Sequence, residues 1–355
     1  MGHLMLYKTS DMKKLIPLLL LFVASCTRPL NQQQQSISLK DYFTPHDSGV
    51  QSAGVKMIPI TTAAGNFHVW TKTIGNNPRI KVLLLHGGPA LTHEYMECFE
   101  SFFPREGFEM IEYDQLGSFY SDQPNDSSLW TIDRFTEEVE QVRKALGLNK
   151  ENFYLLGNSW GSMLAMQYAL KYQENLKGLI LGNMMSSIPD LNVYNKKILI
   201  EEMGQSSIDS MEQMEASGQT ENPRYLQLVQ TNSDKHMCRI VPNPDAMKRG
   251  FTHVNIPILT KMLGLSNLYF LGTLANWDVK NRLPEIYVPT LTIGAKYDFM
   301  NPDHMKWMST QVQHGRYLHC PEGSHLAMWD DQKNFYPGII QFIWDVNDET
   351  FKGEE

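Results

Sequence analysis

Short runs of consecutive apolar residues recur along the chain, separated by longer segments with helical periodicity. The first clear run is residues 81–85, and comparable runs occupy residues 108–112, 153–156, 179–181 and 290–293. Continuous runs are typical of strands that a parallel sheet buries on both faces, whereas half-exposed strands alternate apolar and polar positions. The pattern therefore predicts the central strands of a mainly parallel sheet.

Helical periodicity fills the space between two of these strands. Apolar residues recur every three or four positions from Ile132 to Leu146, and Gly147 follows. This spacing predicts an amphipathic helix that ends at the glycine. Strands alternating with such helices predict an α/β fold with helices on both faces of the sheet. Residues 56–60 and 67–73 come earlier and are predicted to form an antiparallel pair at the sheet edge.

One long segment breaks the alternation. Residues 188–277 are rich in methionine, helical in pattern and without a convincing strand, and the strand-helix alternation resumes at Val288. An insertion into the α/β core explains this most simply, and flexible methionine side chains suit an adaptable lid over a pocket. The sequence therefore predicts a core of residues 51–187 and 278–355, with a helical cap of residues 188–277.

The beginning of the chain has the marks of a targeting segment. Lys13 and Lys14 precede an apolar run of residues 15–23. As a helix, this run would span about 14 Å, well short of the ~30 Å hydrocarbon core of a membrane. A basic segment, a short apolar segment and small residues before a cleavage site are typical of a secretory signal. The alternative is a buried hydrophobic helix.

The residues that end this segment point to a lipid anchor. Val-Ala-Ser-Cys at residues 23–26 resembles the bacterial lipobox, in which the cysteine is lipidated and becomes the mature N-terminus. We therefore interpret residues 1–26 as an upstream extension with a lipoprotein signal peptide, and residues 27–50 as a polar tether. The prediction is a protein held at the bacterial cell envelope through Cys26.

Composition narrows the possible partners. Hydrophobic residues make up 42% of the 355 residues and charged residues 20%, which excludes a disordered protein. The net charge of −8 and the lack of a basic run argue against nucleic acid as a partner. The four cysteines show no paired spacing for a zinc site, so no metal is predicted. We expect Cys98, Cys238 and Cys320 to be small core residues.

The candidate chemistry centres on Gly-Asn-Ser-Trp-Gly at residues 157–161. This pentapeptide follows the predicted strand 153–156 and precedes a helical stretch, residues 162–172. In that context, G-x-S-x-G indicates a nucleophile elbow, a sharp strand-to-helix turn that exposes the serine hydroxyl. Ser159 is therefore the predicted nucleophile.

A serine nucleophile needs a base and an orienting carboxylate, in the chain order Ser, Asp or Glu, His. Asp298 follows the predicted strand 290–293, and His325 follows a short strand at residues 316–320. Both are thus expected at the catalytic edge of the sheet. Rival residues fit less well, since Asp303 and His304 fall within a predicted helix.

The same edge should supply an oxyanion hole. One backbone N–H is expected from the residue after the nucleophile, Trp160, and another from the loop after the third strand. His-Gly-Gly-Pro at residues 86–89 occupies that loop, and Gly88 is the predicted donor because a backbone must approach the substrate closely there. His86 is expected to pack and hydrogen-bond within its loop rather than act as the base.

From residue 55 onward, the chain resembles the proline iminopeptidases of the α/β-hydrolase fold. The resemblance lies in the loops at residues 86–89, 113–118, 157–161, 297–298 and 324–325. Within that group it is most similar to the tricorn-interacting aminopeptidase branch, through residues 221–223, 277–278 and 324–329. The resemblance implies an eight-stranded sheet with a helical cap between the sixth and seventh strands. It also implies release of an N-terminal residue, often proline, from a small peptide or amide without a cofactor.

The cap is expected to bind the free amino terminus of the substrate. Family members use cap carboxylates for this, and Glu221 matches one such position, whereas Asn267 stands where a second glutamate is expected. The Trp160 ring is a further candidate to flank the pocket for the first residue, with packing beneath the elbow as the alternative. The same triad would serve an esterase, lactonase or amino-acid amidase, and a non-catalytic peptide-binding lipoprotein is the alternative outside enzymes.

Overall fold

The apolar runs form the centre of one sheet. The computed structural model describes residues 54–353, so the predicted signal peptide, Cys26 and the whole tether lie outside the described residues. Within that range, the eight strands are β1 (Val55–Thr62), β2 (Gly65–Ile74), β3 (Lys81–Leu85), β4 (Glu109–Asp114), β5 (Phe153–Asn158), β6 (Gly178–Gly182), β7 (Thr290–Ala295) and β8 (Gly315–Cys320). Each predicted strand is present; the ends extend by up to two residues, except that β4 begins one residue later than predicted.

The strand order is β1-β2-β4-β3-β5-β6-β7-β8. Strands β1 and β2 pair antiparallel, as do β2 and β4, while the remaining neighbours are parallel. Parallel strands bring their carboxyl ends to one edge, and loops at this edge carry the binding residues in open α/β sheets. This is the predicted mainly parallel α/β-hydrolase sheet.

The helices of the described residues are α1 (Ile132–Ala145), α2 (Trp160–Tyr172), α3 (Ile188–Met203), α4 (Gln205–Ala216), α5 (Pro223–His236), α6 (Asp245–Thr252), α7 (Ile256–Leu263), α8 (Pro302–Gln311), α9 (Ala327–Asp330) and α10 (Gln332–Asn347). Helix α1 begins where the Thr131 hydroxyl accepts the Arg134 N–H, and Gly147 follows its end with φ +64°. Both are ordinary helix boundary signals.

Helices cover the sheet on both faces. Along β3, Leu83 and Leu85 belong to one apolar cluster with α1 and α2, whereas Val82 and Leu84 belong to a second cluster with α10. The alternation follows from the two-residue period of a strand, and burial on both sides explains the continuous apolar run. The three cysteines of the described residues are buried and free, as expected.

Helices α3 to α7 lie between β6 and β7, and α3, α4 and α5 share a small apolar cluster of their own with Leu268. The two ends of this insertion meet, because Ser187 pairs with Asp278 and the Ile188 N–H donates to the Trp277 carbonyl at 2.9 Å. The insertion therefore leaves and re-enters the core at one place. Among residues 54–353, no helix combines the length and apolar character needed to cross a bilayer.

Candidate active site

Ser159 lies at the tip of a strained turn between β5 and α2. Its φ and ψ are 56° and −124°, a conformation that L-residues rarely adopt. A Cβ at Gly157 would lie 2.3 Å from the Gly161 carbonyl carbon, and one at Gly161 would lie 2.0 Å from the Leu85 oxygen. Only glycine fits at both positions, so the pentapeptide is the sequence that this turn requires.

Asp298 and His325 meet at the same edge of the sheet, each in a loop that follows a strand. The His325 Nδ1 lies 2.9 Å from the Asp298 Oδ1, and the two residues are 3% and 2% exposed. Because a carboxylate only accepts, Nδ1 carries the proton and Nε2 is left as the acceptor. The pair is thus arranged as a base with its orienting carboxylate.

Ser159 and His325 line one cavity. Within the described residues, no hydrogen bond joins their side chains. Such bonds are often long in a free enzyme and tighten when substrate binds. Because they line the same cavity, the predicted nucleophile and base can act on one bound substrate.

Asn183 is a site residue that sequence reasoning missed. It follows β6, is fully buried, and its Nδ2 donates to the Asp298 Oδ2 at 2.7 Å and to the Ser324 carbonyl at 3.3 Å. Its φ of +55° is one that asparagine tolerates better than most residues. An asparagine at the carboxyl end of a predicted strand was the available signal. Together with the Met300 N–H at 3.0 Å, Asn183 fixes the carboxylate of Asp298.

Two backbone N–H groups near the serine are available to an oxyanion. Trp160 is the first residue of α2, where helix N–H groups have no internal partner. The Gly87 N–H is taken by the Tyr95 hydroxyl at 2.6 Å, while the Gly88 N–H has no hydrogen-bond partner among residues 54–353. Gly88 lines the cavity with φ +111°, in the region that favours glycine. The geometry favours Gly88 over Gly87.

The Trp160 ring requires a correction to the prediction that it flanks the substrate pocket. The side chain is 2% exposed, does not line the cavity, and donates from Nε1 to the Gln115 Oε1 at 2.9 Å. Phe135 packs edge-on against it. The alternative, packing beneath the elbow, is the one that the structure supports.

Gln115 also fixes the oxyanion loop. Its N–H donates to the His86 Nε2 at 3.2 Å, and its Nε2 donates to the His86 carbonyl at 3.1 Å. His86 Nδ1 then donates to the Gly87 carbonyl. Burial lowers the pKa of His86 to about 4, which keeps the ring neutral and able to accept from Gln115. His86 is thus a loop residue, as expected.

The cavity extends from the serine into the cap and has a volume of about 950 Å³. Glu221 and Asn267 both line it, at exposed positions. Glu215, at the end of α4, lines it too and was missed by sequence reasoning. Its Oε1 accepts the Asn267 N–H at 3.0 Å and the Tyr225 hydroxyl at 2.6 Å.

The cavity lining contains a second carboxylate that sequence reasoning did not identify. Asn267, in the loop after α7, carries no charge, but Glu215 from α4 contacts its backbone N–H. The Asn267 side chain supports this arrangement, since its Nδ2 donates to the Tyr225 hydroxyl at 2.8 Å. Burial and the neighbouring Glu215 carboxylate raise the pKa of Tyr225 to about 12, so this hydroxyl remains a donor. The cavity holds two carboxylates rather than one.

The end of α5 ties the cap to the catalytic loops. The His236 carbonyl accepts the His325 N–H at 2.8 Å, and its Nδ1 lies 2.7 Å from the Tyr297 carbonyl. His236 Nε2 is 2.7 Å from the Glu202 Oε2, so both ring nitrogens face oxygen atoms. Although burial opposes it, hydrogen bonds from Lys235 and His236 lower the pKa of Glu202. Nothing in the sequence pattern marked this contact.

A metal site is not evident. Residues 54–353 contain no group of three or more His, Cys, Asp or Glu side chains placed to hold an ion.

The sheet, the elbow and the hydrogen-bonded acid and base define an α/β-hydrolase. In agreement, the family described as the alpha/beta hydrolase fold matches residues 81–332. The proline iminopeptidase of Flavobacterium johnsoniae is 60% identical over 294 residues, covering 82% of this chain and 99% of the relative. That of Elizabethkingia meningoseptica is 59% identical, covering 83% and 100%. The chain belongs to the proline iminopeptidase family.

A solved structure supports the fold. The proline iminopeptidase of Mycobacterium smegmatis superposes with a TM-score of 0.75 at 24% identity, covering 83% of this chain and 99% of the other. The predicted α/β-hydrolase fold is therefore confirmed.

Proposed function

We propose that this enzyme removes an N-terminal proline from short peptides or amides through an acyl-enzyme on Ser159. One observation carries the proposal. A nucleophile-elbow serine, the Asp298-bonded His325 and two carboxylates line a single cavity. The two relatives at 60% and 59% identity are both named proline iminopeptidase, which supplies the preferred first residue.

The chemistry follows from the geometry. The Ser159 oxygen attacks the carbonyl carbon of the first residue while His325 Nε2 takes the serine proton. The N–H groups of Trp160 and Gly88 stabilise the tetrahedral oxyanion. His325 then gives its proton to the leaving amine, and the C–N bond breaks. Water, deprotonated by the same nitrogen, releases proline from the ester, while Asp298 holds the imidazole in place throughout.

Glu215 and Glu221 are proposed to recognise the free amino terminus. An α-amino group has a pKa of ~7.7–8.0 and is largely cationic at neutral pH. Burying that cation without an acceptor would be costly, and the two cap carboxylates supply one. Since both carboxylates are present, the preference for free over N-acetylated substrates should be strict.

The direct test combines an activity probe with a substrate. Wild type should be labelled by a fluorophosphonate and should hydrolyse prolyl-2-naphthylamide, whereas Ser159→Ala should do neither. Loss of the nucleophile should lower kcat by on the order of 10⁶. The matched control is Ser162→Ala. Ser162 lies three residues after Ser159, and its hydroxyl donates to the Gly157 carbonyl rather than serving as the proposed nucleophile. Labelling of Ser159→Ala would overturn the assignment of Ser159 as the nucleophile. If wild type cleaved simple esters or lactones faster than prolyl amides, the substrate would be an ester or lactone instead.

We also propose that the protein is lipid-anchored at the bacterial envelope through Cys26. The support is the sequence of residues 13–26 alone, with its basic, apolar and small-residue segments. One acyl chain anchors weakly, but several acyl chains on one cysteine hold firmly. A palmitate analogue should label wild type and not Cys26→Ser. Recovery of unmodified protein from the cytosol with residues 12–25 still attached would contradict the anchor.

A further inference from the structure

The mouth of the active-site cavity carries a group of large apolar side chains that water can reach. Their exposed fractions run from 39% to 78%, and each also lines the cavity; they are Leu226, Phe251, Ile256, Leu265 and Leu271. Clustered exposed apolar side chains on a soluble protein mark binding surfaces more often than chance. Here the surface is continuous with the space around Ser159. We call these five residues the apolar rim.

Apart from its histidines, the charged side chains that line the cavity are all acidic. Among the described residues that line it, the carboxylates are Glu215 and Glu221, and there is no lysine or arginine. His236 is already committed to Glu202 and the Tyr297 carbonyl. A cation can therefore be neutralised in the cavity, whereas an anion meets two like charges and an apolar lining.

The proposed function leaves the part of the substrate beyond the cleaved bond without an assigned contact, and these two features are available to it. Resting on the proposed function, we infer that the enzyme selects peptides whose second residue is apolar and whose carboxyl terminus is distant or amidated. A dipeptide carries its carboxylate on the residue next to the cleaved bond, within about 3.5 Å per residue of chain from Ser159. A longer chain carries that charge past the apolar rim into water. Free dipeptides and peptides with an acidic second residue are accordingly poor substrates.

The test compares substrates that differ only in this part. For wild type, kcat/KM for prolyl-leucinamide should exceed kcat/KM for prolyl-leucine by roughly tenfold or more. It should exceed kcat/KM for prolyl-aspartamide by a similar factor. Prolyl-lysinamide, whose charge matches the cavity, should fall between prolyl-leucinamide and prolyl-aspartamide. Equal values for leucinamide and aspartamide would overturn the inference. Failure to cleave any prolyl amide, including prolyl-2-naphthylamide, would instead overturn the proposed function.

A charge placed on the rim separates the protein's contribution from the intrinsic reactivity of each substrate. Leu265→Lys and Leu271→Lys alter side chains that are 78% and 62% exposed, so folding does not depend on them. Each should narrow the leucinamide-to-leucine ratio by about two- to fivefold, and added salt should reverse the change. Val193→Lys is the matched control, since Val193 is 73% exposed and lies outside the cavity lining. Ratios that stay constant in both rim variants, or that change equally in the control, would contradict the inference. Rim variants that change binding to phospholipid vesicles but not the substrate ratios would also contradict it, because the rim would then be a membrane-binding surface.

Discussion

The catalytic edge of the sheet and the cap differ in how firmly their functional side chains are held. At the edge, Asp298 is 2% exposed and receives hydrogen bonds from His325, Asn183 and the Met300 N–H. In the cap, Glu221 is exposed and the local apolar cluster is small and rich in methionine. Chemistry depends on the fixed constellation, whereas substrate choice depends on a surface that can repack. The fold therefore keeps its reaction while its substrate varies.

The largest expected effect is at the rigid edge. Asp298→Asn should lower kcat by about 10⁴, because the amide no longer fixes the protonated Nδ1 of His325. Thermal unfolding should show a folded protein, since the substitution keeps the volume of the side chain. Comparable loss should appear with every substrate, and near-normal turnover of any of them would remove Asp298 from the triad.

A change in the cap should have a smaller and more selective effect. Glu221→Gln and Glu215→Gln should each lower kcat/KM for prolyl-2-naphthylamide about 10- to 150-fold, the value of a charge-assisted hydrogen bond. N-acetylated substrates should lose little, because they have no ammonium group to bind. Glu212→Gln is the matched control, because Glu212 lies on α4 like Glu215 but accepts a hydrogen bond from Tyr269 outside the cavity. Equal losses on free and blocked substrates would make these glutamates structural.

Asn183 tests whether the edge needs its supporting residues. Asn183→Gly removes the amide that holds Asp298 but accommodates a φ of +55°. We expect kcat to fall about tenfold with KM nearly constant, since the residue positions the acid and does not contact substrate. Asn183→Ala should lose the same kcat and additional stability through backbone strain. Wild-type kcat in the glycine variant would show that the amide has no role in catalysis.

The smallest expected effect on catalysis at neutral pH comes from His86, whose substitution should instead change the pH dependence of stability. Burial lowers the pKa of His86 to about 4, so between pH 6.5 and 4 the unfolded chain binds a proton that the folded chain does not. The contribution of His86 to the free energy of unfolding is complete above pH 6.5. As the pH falls from there toward 4, this contribution decreases by about 1.4 kcal/mol per pH unit. His86→Gln should flatten this part of the curve.

Two other groups titrate near this window. Burial lowers the pKa of His304 to about 4, and His304→Gln should have a similar effect. Burial raises the pKa of Glu112 to about 7, with the opposite slope, so each variant is compared with wild type in chemical denaturation. An unchanged slope in His86→Gln would mean that this histidine does not resist protonation.

The sequence predicts the edge well because each feature there is imposed locally. The elbow leaves no room for a Cβ at Gly157 or Gly161, and strand-end placement brings Asp298 and His325 together. The cap residues could not be found in this way. Glu215 reaches the cavity through helix packing, and no motif surrounds it. His236 joins the cap to the His325 loop through its backbone carbonyl, which any residue type could provide.

The central claim is that the edge sets the chemistry and the cap sets the substrate. The most direct measurement is hydrolysis of p-nitrophenyl acetate, which has no amino group, beside hydrolysis of prolyl-2-naphthylamide. The Glu215→Gln/Glu221→Gln double variant should lose at least about 100-fold on the prolyl amide yet keep ester hydrolysis within about twofold of wild type. Asp298→Asn, measured in parallel, should lose both activities. A double variant that loses ester and amide hydrolysis together would contradict the division between edge and cap.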